Sequence, residues 1–283
     1  MQTVNRRRFI QNITLAGAGA ALSLHGSGFA ASDLPIGIQL YTVRGLSRDD
    51  FQGTLAKVAK IGYKNFEFAG YGDLAAEGVN SLMANLGTQA CGTHEGFQKF
   101  EADAAAVVSF NRAIKTPYVV VPSMPREARS GGVAEIEQFA AGLNKYGEMV
   151  KQAGMQLCYH NHSFEFEKAA DGRTIWEVLM EASDPNLVKA EVDIAWVYNA
   201  DVDPVELLGK YGDRVKLLHM KDLDKDRNLT PVGEGEIDLK AVVAKAKQIG
   251  VEWYIVEQDR TREGKEILDE VAISFKNLTS LLS

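Results

Sequence analysis

The sequence predicts a single (β/α)8 TIM barrel, an α/β fold, and three observations carry the prediction. Eight short apolar runs alternate with longer segments of helical period from Pro35 onward. Several of the helical segments end in a glycine just before the next apolar run, which is the C-terminal cap of an αβ unit. No Gly-x-Gly-x-x-Gly turn follows an apolar run, which sets aside a dinucleotide-binding sheet. Eight βα units in about 250 residues suit closure into a barrel.

The expected strands are Ile36 to Tyr41, Asn65 to Phe68, Gln89 to Gly92, Tyr118 to Pro122, Gln156 to His160, Val188 to Asp193, Val215 to Met220 and Trp253 to Glu257. Between them the period is helical. In Asp50 to Lys60, Phe51, Leu55, Val58 and Ala59 recur at three- and four-residue spacing, and the acidic start suits a helix N-terminus. The other helical segments are Val79 to Leu86, Glu101 to Ile114, Ala134 to Ala153, Ile175 to Ala182, Pro204 to Tyr211, Leu239 to Ile249 and Lys265 to Leu282. Ile61-Gly62, Leu86-Gly87, Ala153-Gly154 and Ile249-Gly250 supply the glycine caps. No Pro, Gly or Ser run is long enough for a linker, so residues 32–283 read as one domain.

Residues 1–31 read as a separate leader. Asn5-Arg6-Arg7-Arg8-Phe9-Ile10 sets arginines before an apolar pair, and Ile13 to Ala31 is rich in Ala, Gly and Leu without an acidic residue. This resembles a twin-arginine signal with a small-residue cleavage site near Gly28-Phe29-Ala30. The expectation is export by the twin-arginine machinery to the periplasm. Gly, Ala and His25 make the segment a poor membrane span, and no membrane association is expected after its removal. Cys91 and Cys158 each fall inside an apolar run, which predicts two buried thiols rather than a disulfide. A net charge of −7 leaves no basic surplus for a nucleic-acid backbone and points to a small polar substrate. Whether the chain forms an oligomer stays open.

Chemistry in such a barrel sits at the C-terminal strand ends. There the sequence places Gln39, Tyr41, Glu67, His94, Glu95, Ser123, His160, Asn161, His162 and Glu165 in the first half. The second half adds Glu191, Asp193, His219, Lys221, Asp222, Glu257, Gln258 and Asp259. Four of the chain's five histidines are among them. Glu165, Asp193, His219 and Glu257 come from the fifth to eighth units, neighbours around the ring. Three carboxylates and an imidazole suit one divalent metal, Mn²⁺, Mg²⁺ or Co²⁺, with Zn²⁺ also compatible. The fifth unit is ambiguous, because His160 holds the strand end proper while Glu165 arrives from the loop: Glu165 is the expected ligand, His160 or His162 is the alternative, and the other histidine then orients a ligand.

These motifs together resemble the sugar-phosphate isomerase/epimerase superfamily of xylose-isomerase-like barrels. The resemblance rests on Gly37-Ile38-Gln39-Leu40-Tyr41-Thr42-Val43-Arg44, Tyr159-His160-Asn161-His162 and Val192-Asp193. His219-Met220-Lys221-Asp222, Val232-Gly233-Glu234-Gly235-Glu236-Ile237-Asp238 and Val256-Glu257-Gln258-Asp259 complete it. It implies a metal held by Glu, Asp, His and Glu, the last three matching Asp193, His219 and Glu257, with His160 where members carry the first Glu. It also implies a His three residues after Asp193 in ketose epimerases, where this chain has Trp196, which argues against a plain ketose 3-epimerase. Endonuclease IV relatives, with more histidine ligands and a basic face, match poorly.

The functional expectation is a metal-dependent sugar isomerase/epimerase that abstracts a proton beside a carbonyl of an unphosphorylated sugar or keto-sugar. Glu165, Glu257, His160 and Lys221 are its catalytic candidates. Gln39, Tyr41, Glu67, His94, His162 and Trp196 are its substrate-binding candidates, and Phe97 is a further aromatic wall. Lys221 shares the inward face with His219, where its ammonium can hold an oxyanion or pair with Asp222 or Glu257. The alternatives are a lyase or hydrolase acting on 3-keto-glycosides and a non-catalytic periplasmic sugar-binding barrel.

Overall fold

The computed structural model describes residues 34–283, so the signal-like segment 1–31 lies outside the described residues. Eight parallel strands form the barrel. They are β1 (Ile36–Gln39), β2 (Asn65–Phe68), β3 (Gln89–His94), β4 (Tyr118–Val121), β5 (Gln156–His160), β6 (Val188–Asp193), β7 (Val215–Met220) and, closing the ring, β10 (Trp253–Val256). The closing strand pairs with β1 through Ile36↔Tyr254, Gly37↔Ile255 and Ile38↔Val256. A short antiparallel hairpin, β8 (Asp222–Leu223) and β9 (Leu229–Thr230), stands outside the barrel after β7. Two-residue strands leave no periodicity in a sequence, so nothing foretells them.

The strand runs read from the sequence are all strands; the fourth and the last stop one residue early, at Val121 and Val256, and two other ends shift by two residues. The first stops at Gln39, because Leu40–Val43 turns into a 3₁₀ helix whose start is capped by the Gln39 side chain accepting from the Tyr41 N–H. Tyr41 therefore leaves the strand and stands 45% exposed at the mouth. The third continues to His94, two residues beyond expectation. The helix expected over Glu101 to Ile114 begins earlier, at Phe97, and breaks at Asp103 (φ −158°, ψ 81°), whose Oδ1 caps the second part by accepting from the Ala106 N–H. Phe97 is correspondingly core, packed edge-on against Phe139 and Tyr146, and not a substrate wall.

Local chemistry sets the outer helices. Asp203 accepts from the N–H groups of Val205 and Glu206 ahead of Pro204, while Thr174 and Glu177 form a reciprocal capping box. Gly87 and Gly250 close their helices in the left-handed region, where a side chain is strained. Among the described residues no helix is long and apolar enough to cross a membrane.

Strand alternation sends one set of side chains to the helices and the other into the barrel. The lower interior is apolar, built from Cys91, Tyr118, Val120, Cys158, Leu217 and Ile255 against Trp253. Both cysteines are buried and free. Gly37 makes room there, since a Cβ would meet Cys91 Sγ at 2.9 Å. Above this plug the interior turns polar.

Candidate active site

Going round the upper interior, the inward positions are Gln39, Glu67, His94, His160, Glu191, Asp193, His219 and Lys221, with Glu257 just past β10. The register shifts at Phe66/Glu67 between β2 and β3 and at Ala190/Glu191 between β6 and β7. Both irregularities fall at an inward glutamate, where a bulge re-aims the side chain. Glu67 also needs Gly92 beside it, because a Cβ there would come within 2.5 Å of Glu67 Oε1.

The deeper layer is a closed ion network. His94 Nε2 donates to Glu191 Oε2 at 2.8 Å and lies 3.3 Å from Glu67 Oε2. Burial opposes charge on His94, but the carboxylates of Glu67 and Glu191 outweigh it and push its pKa up to about 10. His219 Nε2 donates to Glu67 Oε2 at 2.6 Å, and Gln39 Nε2 donates to the same oxygen at 2.8 Å. His219 is likewise raised well above the ordinary imidazole value, burial being overcome by Glu191, Glu257 and Glu67. His160 is the neutral member. Burial, then the nearby charge of His219, holds its pKa well below normal. Its Nδ1 donates to Glu191 Oε2 at 3.1 Å, which leaves Nε2 as the lone-pair nitrogen facing Asp193.

The upper layer opens to a cavity of about 570 Å³ lined in part by Tyr41, His94, His162, Trp196, Lys221 and Asp259. On its floor, one ligating atom each from His160, Asp193, His219 and Glu257 lies within 4.8 Å of the others, all four residues buried. Asp193 Oδ1 is spent capping the helix that follows, accepting from the Ala195 and Trp196 N–H groups. Its Oδ2 is buried without a hydrogen bond. Lys221 Nζ is near, 2.9 Å from Asp193 Oδ2 and 2.7 Å from Glu257 Oε2, yet its aligned hydrogen bond goes to Asp259 Oδ2 at 2.8 Å. Burial raises the Asp193 carboxyl to about 6 even against Lys221. For Glu257 the balance is reversed: burial is outweighed by Lys221 and His219, and the group is held well below the usual carboxylate range.

This donor set fits a divalent cation. Two carboxylate oxygens and two imidazole nitrogens converge, the buried Asp193 Oδ2 has no aligned hydrogen bond and is met only by the Lys221 ammonium, and the far ring nitrogens of His160 and His219 are anchored on Glu191 and Glu67 as in metal-binding imidazoles. A second grouping, His94, His160, Glu191 and His219, uses the opposite nitrogens of the two shared imidazoles and lies in the deeper layer.

Of the residues expected to ligate, Asp193, His219 and Glu257 are brought together, and Glu165 is not. The Glu165 carboxylate accepts from Tyr159 Oη at 2.7 Å and from the His162 N–H at 2.7 Å. Tyr159 alternates with His160 along β5 and faces the helices, so Glu165 is drawn behind the strand while His160 takes the inward place. The five-residue offset brings the loop back to the wrong side of β5. Lys221 pairs with Glu257, Asp193 and Asp259 and not with Asp222, whose carboxylate instead accepts the N–H groups of Leu223, Gly233, Gly235 and Ile237. Glu191 joins the buried cluster of His94, His160 and His219, although it carried no role from the sequence. Its signal was the Glu-x-Asp spacing, which puts both acids on one strand face.

Residues 55–278 match the family described as xylose isomerase-like TIM barrel. Curated relatives include inosose dehydratases of Geobacillus kaustophilus, 31% identical over 146 residues, and Clostridium tetani, 30% identical over 147. The alignments cover 45% and 44% of this chain and 46% and 48% of theirs, so the chain spans about half the length of the curated relatives it matches. Among solved structures, a sugar phosphate isomerase/epimerase from Parabacteroides distasonis is 25% identical with a TM-score of 0.79, covering 88% of this chain and 95% of that one. An L-ribulose 3-epimerase shares the fold alone, with a TM-score of 0.65 at 13% identity over 87% of this chain and 94% of that one.

Proposed function

Because the chain belongs to the xylose isomerase-like TIM barrel family, we propose that it is a sugar-modifying enzyme that removes the proton beside a carbonyl of an unphosphorylated sugar or keto-sugar. The observation that carries this reading is the convergence of His160, Asp193, His219 and Glu257 on the floor of an open cavity beside the Lys221 ammonium. These four residues would hold a divalent ion, which supplies Lewis acidity to the carbonyl and an adjacent hydroxyl. Lys221, with burial overcome by Asp193, Glu257 and Asp259, keeps its proton and can hold an oxyanion. Two proton carriers stand outside the ligand set, Asp259 and the neutral His162, whose pKa is held down to about 4 by burial and then by Lys221. Tyr41 and Trp196 supply apolar faces for a sugar ring.

Once the proton is gone, a substituent on the next carbon can leave or a proton can return. Elimination is the outcome we favour, since the curated relatives are named as dehydratases. Isomerisation or epimerisation is the second reading, supported by the name of the Parabacteroides distasonis structure. The enzyme is tested by incubating it, loaded in turn with Mn²⁺, Co²⁺, Mg²⁺ and Zn²⁺, with free sugars, inososes and 3-keto-glycosides in deuterium oxide. Expected is deuterium uptake or elimination with at least one keto substrate, abolished by chelation. A metal-loaded protein that binds sugars but exchanges no C–H would be a binding barrel and would defeat the proposal.

A further inference from the structure

A second cavity, about 530 Å³, adjoins the first at the C-terminal ends of β4 and β5, and its lining includes Ser123, Arg126, Arg129 and Phe164. Ser123 is common to both cavities. A row of rings connects them: Trp196 to His162 at 6.4 Å and 27° between planes, then His162 to Phe164 at 6.0 Å and 15°. The Arg129 guanidinium lies 4.0 Å from the Phe164 ring centre.

The two cavities carry different cations. The first is lined by Lys99, Lys221 and His94 with Glu257 and Asp259, while the second is lined by two guanidinium groups and the carboxylate of Glu167. Arg129 meets only the exposed Glu167, at 3.5 Å, and among the described residues the Arg126 side chain makes no ion pair or hydrogen bond. Planar rings leading from the first cavity to the free Arg126 guanidinium, with Arg129 beside it over Phe164, suit a substrate whose far end is a ring with an anionic edge.

We propose that the second cavity is a leaving-group subsite, and that the substrate is a keto-glycoside whose second ring carries a carboxylate. This rests on the reading that the first cavity takes a keto-sugar. The sugar ring, oxidised at C3, sits over Trp196, and the second ring lies along His162 and Phe164 with its carboxylate toward Arg126 and Arg129. Removal of the C2 proton puts its electron pair into the enolate of the C3 carbonyl. As the C1–O bond breaks with both its electrons on the departing oxygen, that pair returns to form C1=C2 and restores the carbonyl, and the oxygen takes a proton, so no oxidant or reductant is consumed.

The test uses the 3-keto derivatives of methyl, phenyl and 4-carboxyphenyl β-D-glucoside, with release of the alcohol or phenol as readout. Wild type should favour the 4-carboxyphenyl over the methyl compound by about tenfold or more in kcat/KM, as expected for one charged hydrogen-bonded contact with ring stacking. The double variant Arg126→Ala/Arg129→Ala should lose the preference for carboxyphenyl over phenyl, and Phe164→Ala the preference for phenyl over methyl. Comparing ratios between variants cancels the differing acidity of the leaving groups. Ratios unchanged by all three substitutions overturn the subsite. Should no probe turn over, the reading of the first cavity fails, and saturation-transfer NMR with unoxidised 4-carboxyphenyl β-D-glucoside decides the subsite separately. Transfer to the carboxyphenyl protons that disappears in the double variant supports it, and absence of transfer in wild type overturns it. Displacement of this ligand by glucose 6-phosphate at lower concentration also overturns it, since the arginines would then be holding a phosphate.

Discussion

His160 and Glu165 lie in one loop-and-strand segment, and their environments divide the work. His160 faces the cavity floor with Nε2 free of a donor, whereas both Glu165 oxygens are occupied behind the strand. His160→Gln should therefore weaken Mn²⁺ binding by more than the ~10–100-fold typical of losing an outer hydrogen bond, Glu191→Gln by an amount within that range, and Glu165→Gln hardly at all. Calorimetric titration of the three purified variants checks the order. Glu165 carries a pH signature of its own. Burial raises its carboxyl from 4.5 to about 8 against the donors of Tyr159 and His162, so the folded chain keeps a proton that the unfolded chain has released. That contribution is full below the unfolded value and is lost as pH rises toward the folded one, so this residue makes the fold less stable between about pH 5 and 8. Glu165→Gln mimics the neutral form, with the Tyr159 hydroxyl free to turn and accept from the new amide. Thermal melts at pH 5 and 8 should show the variant's Tm falling less than the wild type's, with each kcal/mol relieved worth roughly 2–4 °C in a chain this size.

At the scale of elements, the loop from Pro231 to Asp238 is organised by the hairpin that follows β7. Asp222, next to Lys221 but on the opposite face, gathers four backbone N–H groups, three of them from that loop, and burial raises its carboxyl despite them. Gly235 lies so close that a Cβ would stand 2.2 Å from Asp222 Oδ1 and 2.4 Å from the Leu223 carbonyl. Gly235→Ala should cost about 1–3 kcal/mol, the range for overpacking, because backbone must move to admit the methyl group. Urea melts give the number, and an unchanged midpoint would mean the loop is not held by Asp222. The Gly-x-Gly pair was legible as a motif in the sequence, but its purpose was not. The β8–β9 hairpin beside it was not legible at all, being too short for periodicity to register.

Across the whole molecule, one prediction concerns residues 1–31, which lie outside the described structure. We propose that they direct export through the twin-arginine route. A reporter fused to them should reach the periplasm, and replacement of Arg6 and Arg7 by Lys should retain it in the cytoplasm. Fractionation reads the outcome, and export of the Lys variant would remove the assignment. For the barrel, the sequence by itself determined the eight strands, because buried parallel strands are runs of apolar residues separated by segments of helical period, several of which end in a glycine cap. It also determined that polar strand ends would converge, and which three residues of the later strands would meet, since alternation along a strand is a local property. Only the tertiary structure set His160 inward and Glu165 behind β5, brought Glu191 and Glu67 beneath the floor, and set a second cavity beside the first. Those outcomes depend on bulges that shift register, on the path of a loop around a strand, and on contacts between residues far apart in the chain. None of these leaves a period in the sequence.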